Sequence, residues 1–200
     1  MKPLTQNDQK FIEHIKIHCK ELGIKCDIRD VSYVNYGKGF KCGGWFDSEG
    51  RELVVAMNSP DGFSTLVHEY GHLTQWVDDI PLWKTSSESL MKMNDWLSGV
   101  EVENIDEHLS ICRDLELENE KRSVKLIKKW GLSIDVEDYT RKANAYVMFY
   151  NWMKQTRRWS KPKNSPYRNE RVLSVMSSKF NMNYKKMSKK IFKIFSEENI

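Results

Sequence analysis

No part of this chain approaches the ~18 consecutive apolar residues that a membrane-spanning helix requires, and its mean hydropathy over 200 residues is −0.65. The opening MKPLTQNDQK lacks the apolar segment of a secretory leader, so the expected location is cytoplasmic. Cysteine is scarce. Cys19, Cys26, Cys42 and Cys112 are scattered with no CxxC pair, which argues against a zinc ribbon or a dense disulfide scaffold and favours a reducing compartment. Internal repeats and low-complexity tracts are also missing, which argues against solenoids and disordered linkers.

What is present suits a globular fold. Hydrophobic residues make up 40% of the chain and seven are Trp, enough to build a core. The length fits one domain with at most a small appendage. Charge is unevenly placed. Residues 121–200 hold 20 basic against 6 acidic side chains, and residues 1–120 hold 12 against 22. Such a split suits either mutually attracting parts of one fold or an anionic partner for the basic end.

Apolar spacing predicts a helix over 6–22, ended by Gly23. Residues 24–57 read as short strands: alternation at Ile24, Cys26 and Ile28, then runs over 41–46 and 52–57. The segment Asp47-Ser48-Glu49-Gly50 reads as a hairpin turn. Ser64 offers an N-cap for a helix running to Val77. Beyond Pro81 helices are predicted near 86–98, 105–130, 138–158, 168–180 and 183–197. The expected class is α+β, a small antiparallel or mixed sheet packed on one helix, with a mostly helical carboxyl-terminal half. The expected division places a main domain over 1–160 and a basic helical extension over 161–200, joined by a linker at 161–166.

One motif carries chemistry. Residues 68–72 read His68-Glu69-Tyr70-Gly71-His72, an HExxH pattern expected by chance in only about one in a hundred chains of this composition. On a helix, His68 and His72 stand one turn apart and reach one metal ion together. Glu69 is rotated about 100° from His68, beside the metal and able to take a proton from bound water. Leu66, Tyr70, Leu73 and Val77 form an apolar stripe on the opposite side. His14 and His18 are also four apart, but no Glu accompanies them, and they read as half-exposed helix residues.

A catalytic zinc takes three protein ligands and leaves one position open. Asp78, six residues after His72, is one candidate, although Gln75 stands where a chain reversal would want Gly. The string Glu116-Leu117-Glu118-Asn119-Glu120 offers others. At about 100° per residue, Ile105, Leu109, Cys112 and Ile127 fall within about 40° of Glu116. A carboxylate there is costly unless paired or bound to metal. Glu120 lies about 40° to one side, placed to accept a hydrogen bond from a ligand imidazole, and Glu118 points about 160° away, toward solvent. Glu116 and Glu120 are interchangeable at this point. His108, Cys42 and Cys112 have no supporting spacing.

HEYGH followed by a helix carrying Glu-x-x-x-Glu resembles the gluzincin branch of the zincin-like metallopeptidases, and LVVAMNSPDGFSTLVHEYGHLTQW with ELENEKR is similar to small metallopeptidase-like proteins of phages and bacteria. The resemblance covers roughly residues 40–160. It implies a zincin-like fold holding one Zn²⁺ on His68, His72 and Glu116. Glu69 would be the general base, Glu120 the support for a ligand His, and 53–57 the edge strand along which an extended peptide lies. The implied reaction is hydrolysis of a peptide bond in a peptide or protein substrate, in the host cytoplasm if the chain is phage-encoded. The oxyanion donor stays open among Tyr146, Tyr150, Arg157 and Tyr167. Rival readings are a regulatory protease for one partner protein and a nucleic-acid-binding protein using the basic half, with Trp152, Trp159 and Tyr167 as stacking surfaces. A third is a scaffold that keeps zinc structurally.

Overall fold

The computed structural model describes residues 3–37, 39–161 and 164–200. The class is α+β, with a small mixed sheet and a helical remainder. Two compact units are resolved. One comprises residues 1–79 and 121–134, the other residues 80–120 and 135–200. Among the described residues no helix is long and apolar enough to cross a membrane.

The first unit opens with α1 (Gln6–Glu21), whose Thr5 and Asp8 form a reciprocal capping box. Five strands follow: β1 (Lys25–Arg29), β2 (Val34–Tyr36), β3 (Phe40–Cys42), β4 (Gly44–Asp47) and β5 (Glu52–Ala56). β5 lies centrally in a three-stranded sheet of order β1-β5-β4, parallel to β1 and antiparallel to β4. The turn expected at 47–50 is therefore present, since Asp47 pairs with Glu52 and Asp47 Oδ1 accepts the amides of Glu49 and Gly50. Two expectations need correcting. The run 41–46 is split by Gly43, its first part pairing with β2 as a separate hairpin. The run 53–57 is not an edge: Leu53, Val54, Val55 and Ala56 are fully buried in the middle strand, and β4 is the antiparallel edge. Four consecutive apolar residues without polar alternation are the signature of a strand covered on both faces.

After β5 the chain turns into α2 (Gly62–Val77), whose N-cap position is Asp61 and not Ser64, with no side-chain capping bond. Gly62 explains the early start. A Cβ there would stand 2.3 Å from Met57 O and 2.8 Å from Ala56 O, so only glycine lets the first turn close onto the end of β5. Gly44 does the same for the edge strand, where a Cβ would meet Val54 O at 2.7 Å and Thr65 Cγ2 at 3.1 Å. Leu66, Tyr70 and Leu73 are buried as their spacing predicts, but Val77, in the last turn, is exposed.

Asp8 also ties α1 to the segment after Trp130. Its carboxylate accepts the Ser133 amide at 2.9 Å, the Ser133 hydroxyl at 2.6 Å and the Thr5 amide at 2.8 Å. Burial alone would raise its pKa, but these hydrogen bonds outweigh it and hold the carboxyl below its ordinary range. A depressed folded-state pKa gives stability that is complete above the unfolded value near ~4 and is lost as pH falls through the folded one. Asp8→Ala should therefore cost about 2–3 kcal/mol at pH 7, the scale of lost hydrogen bonds to a charged group. Urea unfolding at pH 7 and again near pH 3 checks this. The wild-type advantage should shrink in acid, and an advantage that grows there would contradict the assignment.

The second unit contains α3 (Pro81–Leu97), α5 (Val136–Thr156), α6 (Glu170–Leu173) and α7 (Lys189–Glu197). The long α4 (Ile105–Trp130) spans the interval predicted for it. The extension expected from 161 belongs to this unit. Val172, Met176, Ile194, Phe195 and Ile200 share one core with Met148, Phe149, Trp152 and Met153 of α5. Of the expected linker, Pro162 and Lys163 lie outside the described residues. The helices expected over 168–180 and 183–197 are cut to α6 and α7. The cause lies on α5, where two buried Asn side chains take the backbone groups between them. Asn144 Nδ2 donates to Ser177 O and Lys179 O at 2.8 and 2.9 Å, and Asn151 Nδ2 donates to Tyr184 O at 2.7 Å. Ser177 Oγ accepts the Lys179 amide and Asn181 Oδ1 accepts the Asn183 amide, local turns that compete with helix, and the Asn181 amide donates to Asn144 Oδ1 at 3.3 Å.

Candidate metal centre

α2 places His68 and His72 one turn apart, both half-buried, with imidazole rings nearly perpendicular at 85° and centroids 4.8 Å apart. Their Nε2 atoms are 3.2 Å apart. Two nitrogens bound at 2.0–2.1 Å to one tetrahedral ion would be separated by about 3.3 Å. The imidazoles therefore already present one edge of such a coordination shell.

His72 is held in that pose by a residue to which its spacing gave no ligand role. Its Nδ1 donates to Gln75 Oε1 at 2.8 Å, which leaves Nε2 as the lone-pair nitrogen. Gln75 is fully buried. In the sequence it stands out only as the residue occupying a glycine position. The available signal was its phase, within about 60° of both His68 and His72 and opposite the apolar stripe, where a side chain can reach a ligand imidazole.

The third candidate donor is a carboxylate. Ligand atoms of His68, His72 and Glu116 all lie within 4.8 Å of one another, the one such group of three or more among the described residues. Two imidazole nitrogens and a carboxylate oxygen suit zinc and related first-row ions. The competing candidates have other duties. Asp78 Oδ2 accepts from Arg122 Nη1, and the same guanidinium nitrogen reaches Thr74 Oγ1 at 3.4 Å. Asp78, the C-cap residue of α2, is therefore paired with α4. His108 Nδ1 bonds Ser89 Oγ at 3.2 Å. Cys42 Sγ faces Val34 O at 3.9 Å, and Cys112 is buried.

Within the Glu116–Glu120 string, Glu116 is half-buried and Glu120 buried at 5% exposed. Glu118 is half-buried as well, which corrects the expectation that it faces open solvent; Leu117 and Asn119 beside it are buried, so α4 is covered over most of its girth.

Glu69 is half-buried and lies near Cys42, whose thiol is pushed up by burial and then by the Glu69 charge. Of the four oxyanion candidates, Arg157 is spent elsewhere. Its guanidinium donates to Trp96 O and Val100 O and pairs with Glu101, closing the end of α3. Tyr146 and Tyr150 have hydroxyls 3.5 Å apart, and burial followed by the Glu116 charge raises both well above the ordinary tyrosine value. They therefore stay protonated at neutral pH. Tyr167 packs edge-on to Tyr146, centroids 6.0 Å apart.

His14 and His18 are half-buried, as expected, and both contact Tyr70 Oη, at 3.0 and 2.9 Å. They anchor the back of α2 to α1. The chain matches no protein-family model, no curated protein and no solved structure.

Proposed function

We propose that this chain is a zinc-dependent peptidase of the gluzincin type, cleaving peptide bonds in a peptide or protein substrate. The observation that carries the reading is the meeting of His68, His72 and Glu116 ligand atoms within 4.8 Å, the two histidines lying 48 and 44 positions before the carboxylate in sequence. Bound zinc would supply a Lewis acid and lower the pKa of water toward neutrality.

The chain's own groups then have defined work. Gln75 fixes the His72 tautomer so that Nε2 faces the ion. Glu120 is assigned the support of a ligand imidazole. Glu69 takes a proton from the attacking water and returns it to the leaving amine. Tyr146 and Tyr150, protonated and within the field of Glu116, are the favoured donors to the developing oxyanion. β4 is an antiparallel edge strand whose Gly44 abuts Thr65, one turn before Glu69. An extended peptide adding to that edge would bring its backbone to the general base.

The test is metal analysis joined to peptide cleavage. The purified chain should hold close to one zinc, lose cleavage of a denatured protein substrate when a chelator removes it, and regain cleavage when zinc is returned. His68→Ala and His72→Ala should each lose the metal, because a tetrahedral site retaining two protein ligands binds poorly. Full zinc retention by both variants would sink the reading.

A further inference from the structure

One helix of the second unit carries its charges in the wrong order. α7 has Lys189 and Lys190 in its first turn and Glu197 in its last, with Glu198 at its C-cap. The helix dipole favours the reverse, carboxylates at the start and ammonium groups at the end. A local rule broken without a structural gain marks a surface kept for another role. The excess of positive charge continues upstream. Residues 172–196 contain six lysines, Lys179, Lys185, Lys186, Lys189, Lys190 and Lys193, and no Asp or Glu. All six are exposed. Lys185 lies 3.8 Å from Asp114 and Lys193 3.6 Å from Glu197, and the other four form no ion pair among the described residues. We propose that this lysine surface binds the phosphate backbone of duplex nucleic acid without reading its sequence.

The lysines are displayed on a fixed frame. The buried amides of Asn144 and Asn151 hold the carbonyls of Ser177, Lys179 and Tyr184, and Ser188 caps α7. At about 100° per residue, the three lysines of α7 fall on the side opposite Ile191, Phe192, Ile194 and Phe195, which pack into the core. That packing decides between polyanions. A basic helix lying on an anionic membrane inserts its apolar face, and here that face is already covered. Within 172–196 only Met182 is a large apolar side chain left exposed. Single strands are held largely by stacking on aromatic rings. Trp152, expected from the sequence to offer such a ring, is buried. The Tyr184 ring is half-buried, with Arg113 Cζ 5.3 Å and Lys185 Nζ 5.8 Å from its centroid. The surface therefore acts through density of positive charge, to which a duplex responds by releasing condensed counterions.

The inference does not depend on the peptidase reading, since no lysine of this surface belongs to the proposed metal centre. It is tested on the full chain by fluorescence anisotropy with a labelled DNA duplex of arbitrary sequence. Between about 50 and 200 mM salt the affinity should fall by about 10²–10³-fold, the loss expected for roughly four to six phosphate contacts. A second duplex of unrelated sequence should bind as well as the first. The triple variant Lys186→Ala, Lys189→Ala, Lys190→Ala should bind at least about ten-fold more weakly and show a salt slope shallower by about 2–3. Its thermal midpoint should not fall, because the first turn of α7 loses two unfavourable charges. Lys10→Ala, Lys16→Ala, Lys20→Ala on α1 removes the same charge from the first unit and should leave binding nearly unchanged. Equal losses in the two triple variants would reduce the effect to net charge and overturn the proposal. So would tighter binding to vesicles containing phosphatidylserine than to the duplex, or no binding to the duplex at the lowest salt.

Discussion

Glu69→Gln is expected to keep its zinc and to lose peptide hydrolysis by roughly 10²–10⁴-fold, the contribution of a general base in place. The amide has the shape of the carboxylate, so α2 and its two imidazoles should be undisturbed. What it lacks is basicity. Glu69 is half-buried, lies about 100° around the helix from His68 and feels Cys42 at the junction of β3 and β4. That is where a substrate added to the β4 edge would present its scissile bond. Metal content and thermal midpoint should match wild type, while kcat falls and KM changes little, because the lost interaction belongs to the transition state. Undiminished turnover in zinc-loaded Glu69→Gln would assign the base elsewhere. Loss of zinc together with activity would show instead that the carboxylate itself helps to hold the ion.

How much of this was legible in the sequence depends on the range of the interaction. The i, i+4 spacing of His68 and His72 is local, and so is the helical phase that puts Glu116 on the apolar face of α4. Both can be read from a 100° step. The hairpin between β4 and β5 is local too, set by Asp47 and Gly50. The parallel pairing of β1 with β5 is not, because it joins residues 27 positions apart, such as Cys26 and Leu53. A β4–β5 hairpin read without it leaves β5 looking like an edge. The shortening of the last helices has the same origin. Residues 174–180 and 183–188 have helical spacing, yet the buried amides of Asn144 and Asn151, more than 30 residues upstream, capture backbone groups there. Gln75 was hidden for a subtler reason. A glutamine is rarely placed in a core without a polar partner, and its partner, His72, was already assigned to the metal.

The residues around the ion should separate by what each does for it. Glu116→Ala removes the proposed third ligand, so zinc should be lost on gel filtration and hydrolysis with it. Gln75→Leu keeps the ligand His72 but removes the acceptor of its Nδ1–H; affinity should fall by about 10–100-fold, with zinc restored by excess metal. Glu120→Ala should behave like Gln75→Leu if it supports a ligand imidazole, and removing a buried carboxylate should also show in the thermal midpoint. Glu118, about 160° around α4 from the ligand carboxylate position, should leave zinc affinity within two-fold of wild type when changed to Ala, whatever its half-buried contacts cost in stability. Competition with a chromogenic chelator measures all four on one scale. The order Glu116, then Gln75 with Glu120, then Glu118 is the signature of a site built from one face of α2 and one carboxylate of α4. Zinc loss from Glu118→Ala beside retention in Glu116→Ala would mean that α4 presents a different face, and the triad would fall with it.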